Sequence, residues 1–217
     1  MTLAIFDLDN TLIAGDSDHA WGQFLADKGI VDAEEYRKAN DQFYQDYLDG
    51  KLDMTRYLEF SLAPLAAHPM KNLLQWREQF ISERIKPLML DKAQALVSSH
   101  KDQGHFILII TATNRFVTEP IAEHLGVDHL IATDPEIIDN KYTGAISGVP
   151  SFKEGKVTRL NSWLKEQDYD LNGSYFYSDS HNDIPLLDIV ETPIAVDPDA
   201  TLESHAKENN WKIMSLR

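Results

Sequence analysis

At 217 residues, 43% hydrophobic and 25% charged, the chain is long enough for one large domain, or for a core with a smaller insert, and has an ordinary globular make-up. A formal net charge of −15 repels phosphate backbones and anionic lipid, so nucleic acid and membranes are poor partners and any anionic substrate must meet cations gathered at the site. Without cysteine there are no disulfides, thiolate nucleophiles or zinc-thiolate centres. Met1 to Asp7 lacks a basic flank, and no window approaches about 18 apolar residues, so a cytoplasmic location is expected.

The first element is a short apolar run, Leu3 to Phe6, that stops at Asp7-Leu8-Asp9. It is too short for a helix, and a buried parallel strand ending in a loop is expected, with two carboxylates delivered to the edge of a sheet. Taken alone, such a pair reads more readily as a solvated turn than as a site. From Ser17 to about Ile85 the pattern is helix after helix. Ala20, Trp21, Phe24 and Leu25 share one face and Gly29 stops the helix, while Asp32 with Glu35 caps a second that carries Tyr36, Ala39, Phe43 and Tyr47 and ends near Gly50. Asp53 or Thr55 starts a third with Pro64 near its end, and Met70 to Ile85 carries Leu73, Leu74, Trp76, Phe80 and Ile81. No strand-like run interrupts this stretch. Residues 16–85 are therefore expected as an all-helical insert in an α/β core made of residues 1–15 and 86–217.

Beyond Pro87, helix and strand alternate. A helix from Asp91 to His100 precedes an apolar strand, His105 to Ile110, that ends in Thr111-Ala112-Thr113-Asn114. A helix from Arg115 to Leu125, a strand from His129 to Thr133, a hairpin turn around Asp139 to Gly144 and a helix from Lys156 to Lys165 follow. Ser174 to Tyr177 is a strand that ends in Ser178 to Asp183, and Thr192 to Val196 is another. This alternation predicts a parallel sheet covered on both faces.

In such a sheet the loops after the strands meet at one carboxyl edge, where ligands bind. Asp7, Asp9, Asp179 and Asp183 are thereby brought together, and an all-oxygen acidic set suits a hard cation, with Mg²⁺ the natural choice. Lys156, at a helix start, can point to the same edge. A hydroxyl, a lysine, backbone amides and Mg²⁺ around a carboxylate equip a site for phosphoryl transfer.

In order, Asp7-Leu8-Asp9-Asn10-Thr11-Leu12, then Thr111, then Lys156, then Asp179-Ser180-His181-Asn182-Asp183 resemble the four motifs of the haloacid dehalogenase-like hydrolases, over nearly the whole chain. The helical stretch after the first motif and Gly155-Lys156-Val157 resemble the phosphoserine phosphatase-like branch. The resemblance implies a Rossmann-like sheet with a C1-type helical cap, and a Mg²⁺-dependent phosphomonoesterase acting on a small phosphorylated metabolite. Asp7 would be the nucleophile, and Asp9 the acid and base whose carbonyl also ligates the metal. Thr111 would bind a phosphoryl oxygen and Lys156 would neutralise charge, although Lys153 lies near enough to take that role. Asp179 would hold Mg²⁺ directly with Asp183 behind it, giving a metal set of Asp7, Asp9, Asp179 and Asp183.

Asp16, Ala112, Asn182 and Arg56 are the substrate-binding candidates, and Asp18 and His19 are further pocket candidates. An acid at Asp16 implies an amine on the substrate, as in an amino alcohol phosphate, histidinol phosphate or phosphoserine. Two departures are visible. Ser178 and Ser180-His181 stand where the family has glycine and small residues, and Ser61 occupies the register of the arginine that grips a substrate carboxylate, with Arg56 displaced in the same helix. Two other classes fit an aspartate near Mg²⁺: a receiver-like phosphoaspartate switch, which places its aspartate after the third strand and lacks so large an insert, and a catalytically silent binding protein, against which both Asp7 and Asp9 argue.

Overall fold

The computed structural model describes residues 1–217. In chain order the elements are β1 (Leu3–Phe6), α1 (Ser17–Asp27), α2 (Ala33–Leu48), α3 (Met54–Ala67), α4 (Met70–Phe80), α5 (Asp91–Asp102), β2 (Phe106–Asn114), α6 (Arg115–Leu125), β3 (His129–Ile138), β4 (Lys141–Ser147), α7 (Glu154–Gln167), β5 (Tyr175–Ser178), α8 (Ile184–Leu187), β6 (Thr192–Val196), α9 (Ala200–Glu208) and β7 (Lys212–Met214). A π turn over Ile81–Ile85 joins α4 to the core.

The strands form one sheet in the order β4-β3-β2-β1-β5-β6-β7, parallel except for β4, which returns antiparallel on β3 at one edge. The expected α/β architecture is thus present, with a hairpin edge added to the parallel sheet. The hairpin turns through Asp139 (φ 50°) and Asn140 (φ 60°), the two positive torsions that a tight two-residue connection requires. Two elements were not read from the sequence. α9 and the three-residue β7 are too short and polar to announce themselves, and β7 is a strand only because Lys212 to Met214 pair with Ile194 to Val196.

β1 is central, and its four side chains are completely buried. Ala4 and Phe6 face a core shared with Trp21, Phe24, Phe80, Val97 and Phe116; Leu3 and Ile5 face a second built from Leu160, Trp163, Leu186 and Leu202. The alternation of side chains along a strand therefore assigns each residue of β1 to one layer of helices. The Trp21 ring lies 5.1 Å from Phe80 and 5.7 Å from Phe116, so α1 is anchored to the core by aromatic packing rather than standing clear of it. α2 packs on α1 where Gly22 meets Asn40, whose amide donates to the His19 carbonyl at 2.9 Å.

At the other end of the sheet Asp134 of β3 receives Arg115 Nε at 2.5 Å and an Arg159 guanidinium, joining α6 to α7. Burial works against the charged form, but the two guanidinium hydrogen bonds outweigh it and the carboxyl sits below its usual range. A lowered folded-state value stabilises the fold at pH above the unfolded carboxyl's, and that contribution is lost as pH falls through the folded value. Asp134→Asn should therefore cost about 1–3 kcal/mol near neutrality, read as a lower melting temperature, and the gap from the wild type should shrink as pH drops below about 4.

Candidate active site

β1, β2 and β5 lie side by side in register, with Phe6 opposite both Ile109 and Tyr177, so the residues after each strand emerge together. Asp7 is the first residue past β1, and its amide still donates to the Tyr177 carbonyl at 2.9 Å. This is the point at which the chain leaves β1 on one side for β2 and on the other for β5, where a crevice opens in an open α/β sheet.

Beneath the crevice lies Lys156, 2% exposed, in the first turn of α7. Its ammonium contacts Asp7 Oδ1 at 2.7 Å and Asp183 Oδ1 and Oδ2 at 2.7 and 2.8 Å. Asp183 also accepts from Ser178 Oγ at 2.7 Å. Burial opposes charge on the lysine, but the two carboxylates overcome it and hold its pKa above the ordinary value. Lys153, the alternative, points elsewhere and donates to the Gly50 carbonyl at 3.1 Å. Gly155 explains how α7 starts so close to the preceding loop, because a Cβ there would stand 2.1 Å from the Pro150 carbonyl oxygen.

The carboxylates outnumber the cation. Burial pushes the Asp7 carboxyl up to about 8 in spite of Lys156, and Asp179, which receives only Thr11 Oγ1 at 3.1 Å from another side chain, is raised well above its usual range by burial and by the charges of Asp7 and Asp183. Three neighbouring carboxylates, two of them buried against it, face one ammonium, a deficit of two positive charges that a divalent cation with oxygen ligands would supply. The residues therefore fit a metal held by a set of oxygen ligands. Asp9 is turned away from such a set: its Oδ1 accepts from the Ser17 amide at 2.6 Å and its Oδ2 from Thr111 and Thr113 hydroxyls at 3.2 and 2.9 Å. Asp183 is engaged by Lys156 and Ser178. The protein groups left for a cation are the carboxylates of Asp7 and Asp179 and the Asp9 carbonyl.

Above these residues is a space of about 530 Å³, part of it open to solvent. Asp7, Asp9, Thr111 and Ala112 line its floor, and Asp16 and Asp18 on the first turn of α1 line one wall. Asp16 also caps α1, accepting the His19 amide at 2.7 Å; burial and the nearby Asp9 charge raise it well above the ordinary range. Phe43, Tyr44, Tyr47 and Tyr57 supply aromatic walls. Two candidates are not brought into the cavity by this geometry. Arg56 lies on the exposed side of α3 and does not line the cavity, because the helix phase turns Tyr57 inward instead. Asn182 sits under the wall rather than in it, donating to the Tyr47 carbonyl at 3.3 Å and to Ser180 Oγ at 3.2 Å, with its own Oδ1 unpartnered. Thr111 does line the floor, with its hydroxyl donating to Asp9 at 3.2 Å.

Sequence reasoning missed Thr113 as a partner of Asp9, and Tyr44, Tyr57 and Asn40 as wall residues. Only Thr113 had a usable signal, since it follows Thr111 at the two-residue period of a strand.

A buried carboxylate at the end of a central strand, clamped by lysine and facing a second carboxylate across an open cavity, defines a hydrolytic site built for an anionic group. A sequence model of the haloacid dehalogenase-like hydrolase family matches residues 4–188. The chain is 47% identical over 219 residues to a histidinol-phosphatase of Neisseria meningitidis, with 99% of each covered. A crystal structure of a protein of unknown function from Bordetella pertussis superposes with TM-score 0.94 over 100% of both chains at 45% identity. A phospho-aspartyl intermediate analogue of phosphoserine phosphatase superposes with TM-score 0.72 at 19% identity, covering 100% of this chain and 93% of that one, a likeness of fold. The chain belongs to the haloacid dehalogenase-like hydrolases, and among them to the phosphatases. No helix is long and apolar enough to cross a membrane.

Two substitutions probe this construction. Gly155→Ala should force the Pro150 loop apart and move Lys156, costing roughly 1–3 kcal/mol of stability and most of the turnover. Thr113→Val keeps the volume and the strand preference but leaves Asp9 one donor short; kcat should fall about tenfold with KM little changed, measured by steady-state phosphate release.

Proposed function

We propose that the protein is a Mg²⁺-dependent phosphomonoesterase that works through an aspartyl-phosphate on Asp7 and acts on a small amine-bearing phosphate ester, with histidinol phosphate the first candidate. The observation that carries the reaction is the buried Asp7, backed by Lys156 and facing the cavity beside a separately held Asp9. An Asp7 oxygen attacks phosphorus while the bond to the leaving oxygen breaks, and Asp9 gives that oxygen its proton. Water then attacks the phosphoryl group and passes a proton to Asp9, regenerating both carboxyls. Lys156 holds Asp7 in place and favours its ionised form against the burial that opposes it. Asp7, Asp179 and the Asp9 carbonyl would hold Mg²⁺, which when bound supplies the positive charge that the incoming phosphate needs.

The substrate class rests on the walls. Asp16 and Asp18 line the cavity, whereas no arginine or lysine does. That composition favours an amine and disfavours a substrate carboxylate, and so supports an amino alcohol phosphate over phosphoserine. The 47% identity to a histidinol-phosphatase over the whole chain points the same way. Residues 16–85 would act as the cap over a core of residues 1–15 and 86–217, opening for exchange and closing for chemistry in the cytoplasm.

Asp7→Asn should abolish phosphate release from p-nitrophenyl phosphate and from histidinol phosphate, and chelation of the wild type should do the same until Mg²⁺ is restored. Full turnover in the variant would sink the covalent route. Turnover indifferent to chelation would sink the metal.

A further inference from the structure

One corner of the cavity joins a carboxylate to aromatic rings. Asp18, in the first turn of α1, lines it with Tyr57 of α3 and Phe43 of α2. Phe43 and Tyr57 meet edge to face with centroids 5.5 Å apart, giving a corner of fixed shape. The Asp18 carboxylate accepts the Tyr57 hydroxyl on Oδ2 and, at 3.5 Å, the Asn114 amide on Oδ1. Both donors are neutral. No lysine or arginine lines the cavity, and neither side-chain partner of Asp18 brings it a positive charge. Asp16 does not share this position, being tied to the His19 amide at the start of the helix and close to Asp9.

A carboxylate in an aromatic corner is suited to a flat group that is apolar on its faces and carries N–H at its edge. We infer that Asp18, with Tyr57 and Phe43, forms a second recognition point for a nitrogen heterocycle, so that the enzyme selects amino alcohol phosphates bearing a ring such as imidazole. This rests on the phosphomonoesterase reading and adds to it the part of the substrate furthest from phosphorus. Asp16 reads the amine and Asp18 the ring, and the phosphate lies over Asp7. The spacing along α1, two residues apart on the first turn, gives the two carboxylates separate directions while the helix keeps their separation fixed. Burial raises the Asp18 carboxyl to about 7, as expected for an acid that lacks its cation.

A purely structural role is the competing account, in which Asp18 only ties α1 to α3 through Tyr57. Steady-state kinetics on histidinol phosphate and on phosphoethanolamine, which has the amine and no ring, separate the two. In Asp18→Asn the ratio of the two kcat/KM values should fall by about tenfold or more, whereas Asp16→Asn should depress both substrates together. A proportional loss on both substrates in Asp18→Asn would make the residue a structural tie and overturn the assignment. The wild type alone gives a second reading: phenylalaninol phosphate, with a ring of similar size and no nitrogen, should be about tenfold poorer than histidinol phosphate, and parity would overturn it. If the wild type hydrolyses none of these esters, the reaction has been misread, and calorimetric titration then tests the ring site by itself. Histidinol binding about tenfold more tightly than phenylalaninol to the wild type, and equally to Asp18→Asn, upholds the site; equal binding to the wild type removes it.

Discussion

One buried ammonium set between two buried carboxylates, with a third beside them, is the constraint on which the rest of the structure depends. Lys156 could be buried only with partners, and it has Asp7 and Asp183 within 2.8 Å. Those partners come from the ends of β1 and of the loop after β5, so the contact fixes the relative height of the two strands and the start of α7 at once. Gly155 and the tight loop from Pro150 exist to bring the helix that close. The same arrangement leaves Asp179 without compensation. A divalent cation bound here would supply the missing charge, and metal affinity and local stability would then be two sides of one charge balance.

The helical stretch meets this centre at the start of α1 and again at the end of α2. The carbonyls of Tyr47 and Gly50, at the end of α2, receive Asn182 Nδ2 and Lys153 Nζ from the core. Gly50 has a φ of +69°, and a Cβ on it would lie 2.7 Å from His181 Nε2, so the approach of α2 to the loop after β5 tolerates no side chain. His181 is braced in turn by Asp199, which accepts its amide at 2.7 Å and faces Nδ1 at 2.8 Å. The serines and histidine that depart from the family's small residues in this loop thus have a local use. Ser178 holds Asp183, Ser180 holds Asn182, and His181 forms the seat for α2.

Much of this was legible in the sequence because it is carried by order and period. An apolar run of four residues ending in two aspartates can be little else than a central strand once two more strands end in polar loops, and a parallel sheet then gathers those ends whatever the intervening chain does. What was not legible depends on side-chain direction. Asp9 carries a carboxylate like Asp7, but only coordinates show that it points at Thr111, Thr113 and the Ser17 amide and away from Asp179. The β2 ladder shifts register between Ile110 and Asn114, which lets Thr111, Ala112 and Thr113 all reach the cavity where a regular strand would send them to alternate faces. Helical period told which faces of α2 and α3 are apolar. It did not tell that Tyr57 rather than Arg56 turns inward, since a rotation of one residue about the helix axis decides it.

The walls of the cavity also resolve a conflict between the charge of the protein and its substrate. A chain of net charge −15 whose cavity is lined by Asp7, Asp9, Asp16 and Asp18, with no lysine or arginine in the lining, should repel a phosphate ester. Entry is favourable only if the phosphate meets a divalent cation and if the remainder of the ester is positively charged where it passes Asp16 and Asp18. The acidic wall then works as a filter as well as a grip. On the proposed function, esters with a neutral or carboxylate-bearing tail would be refused by the same charges that draw a cationic tail in, and the selection would cost the enzyme nothing at the phosphorus, a group that all the candidates share.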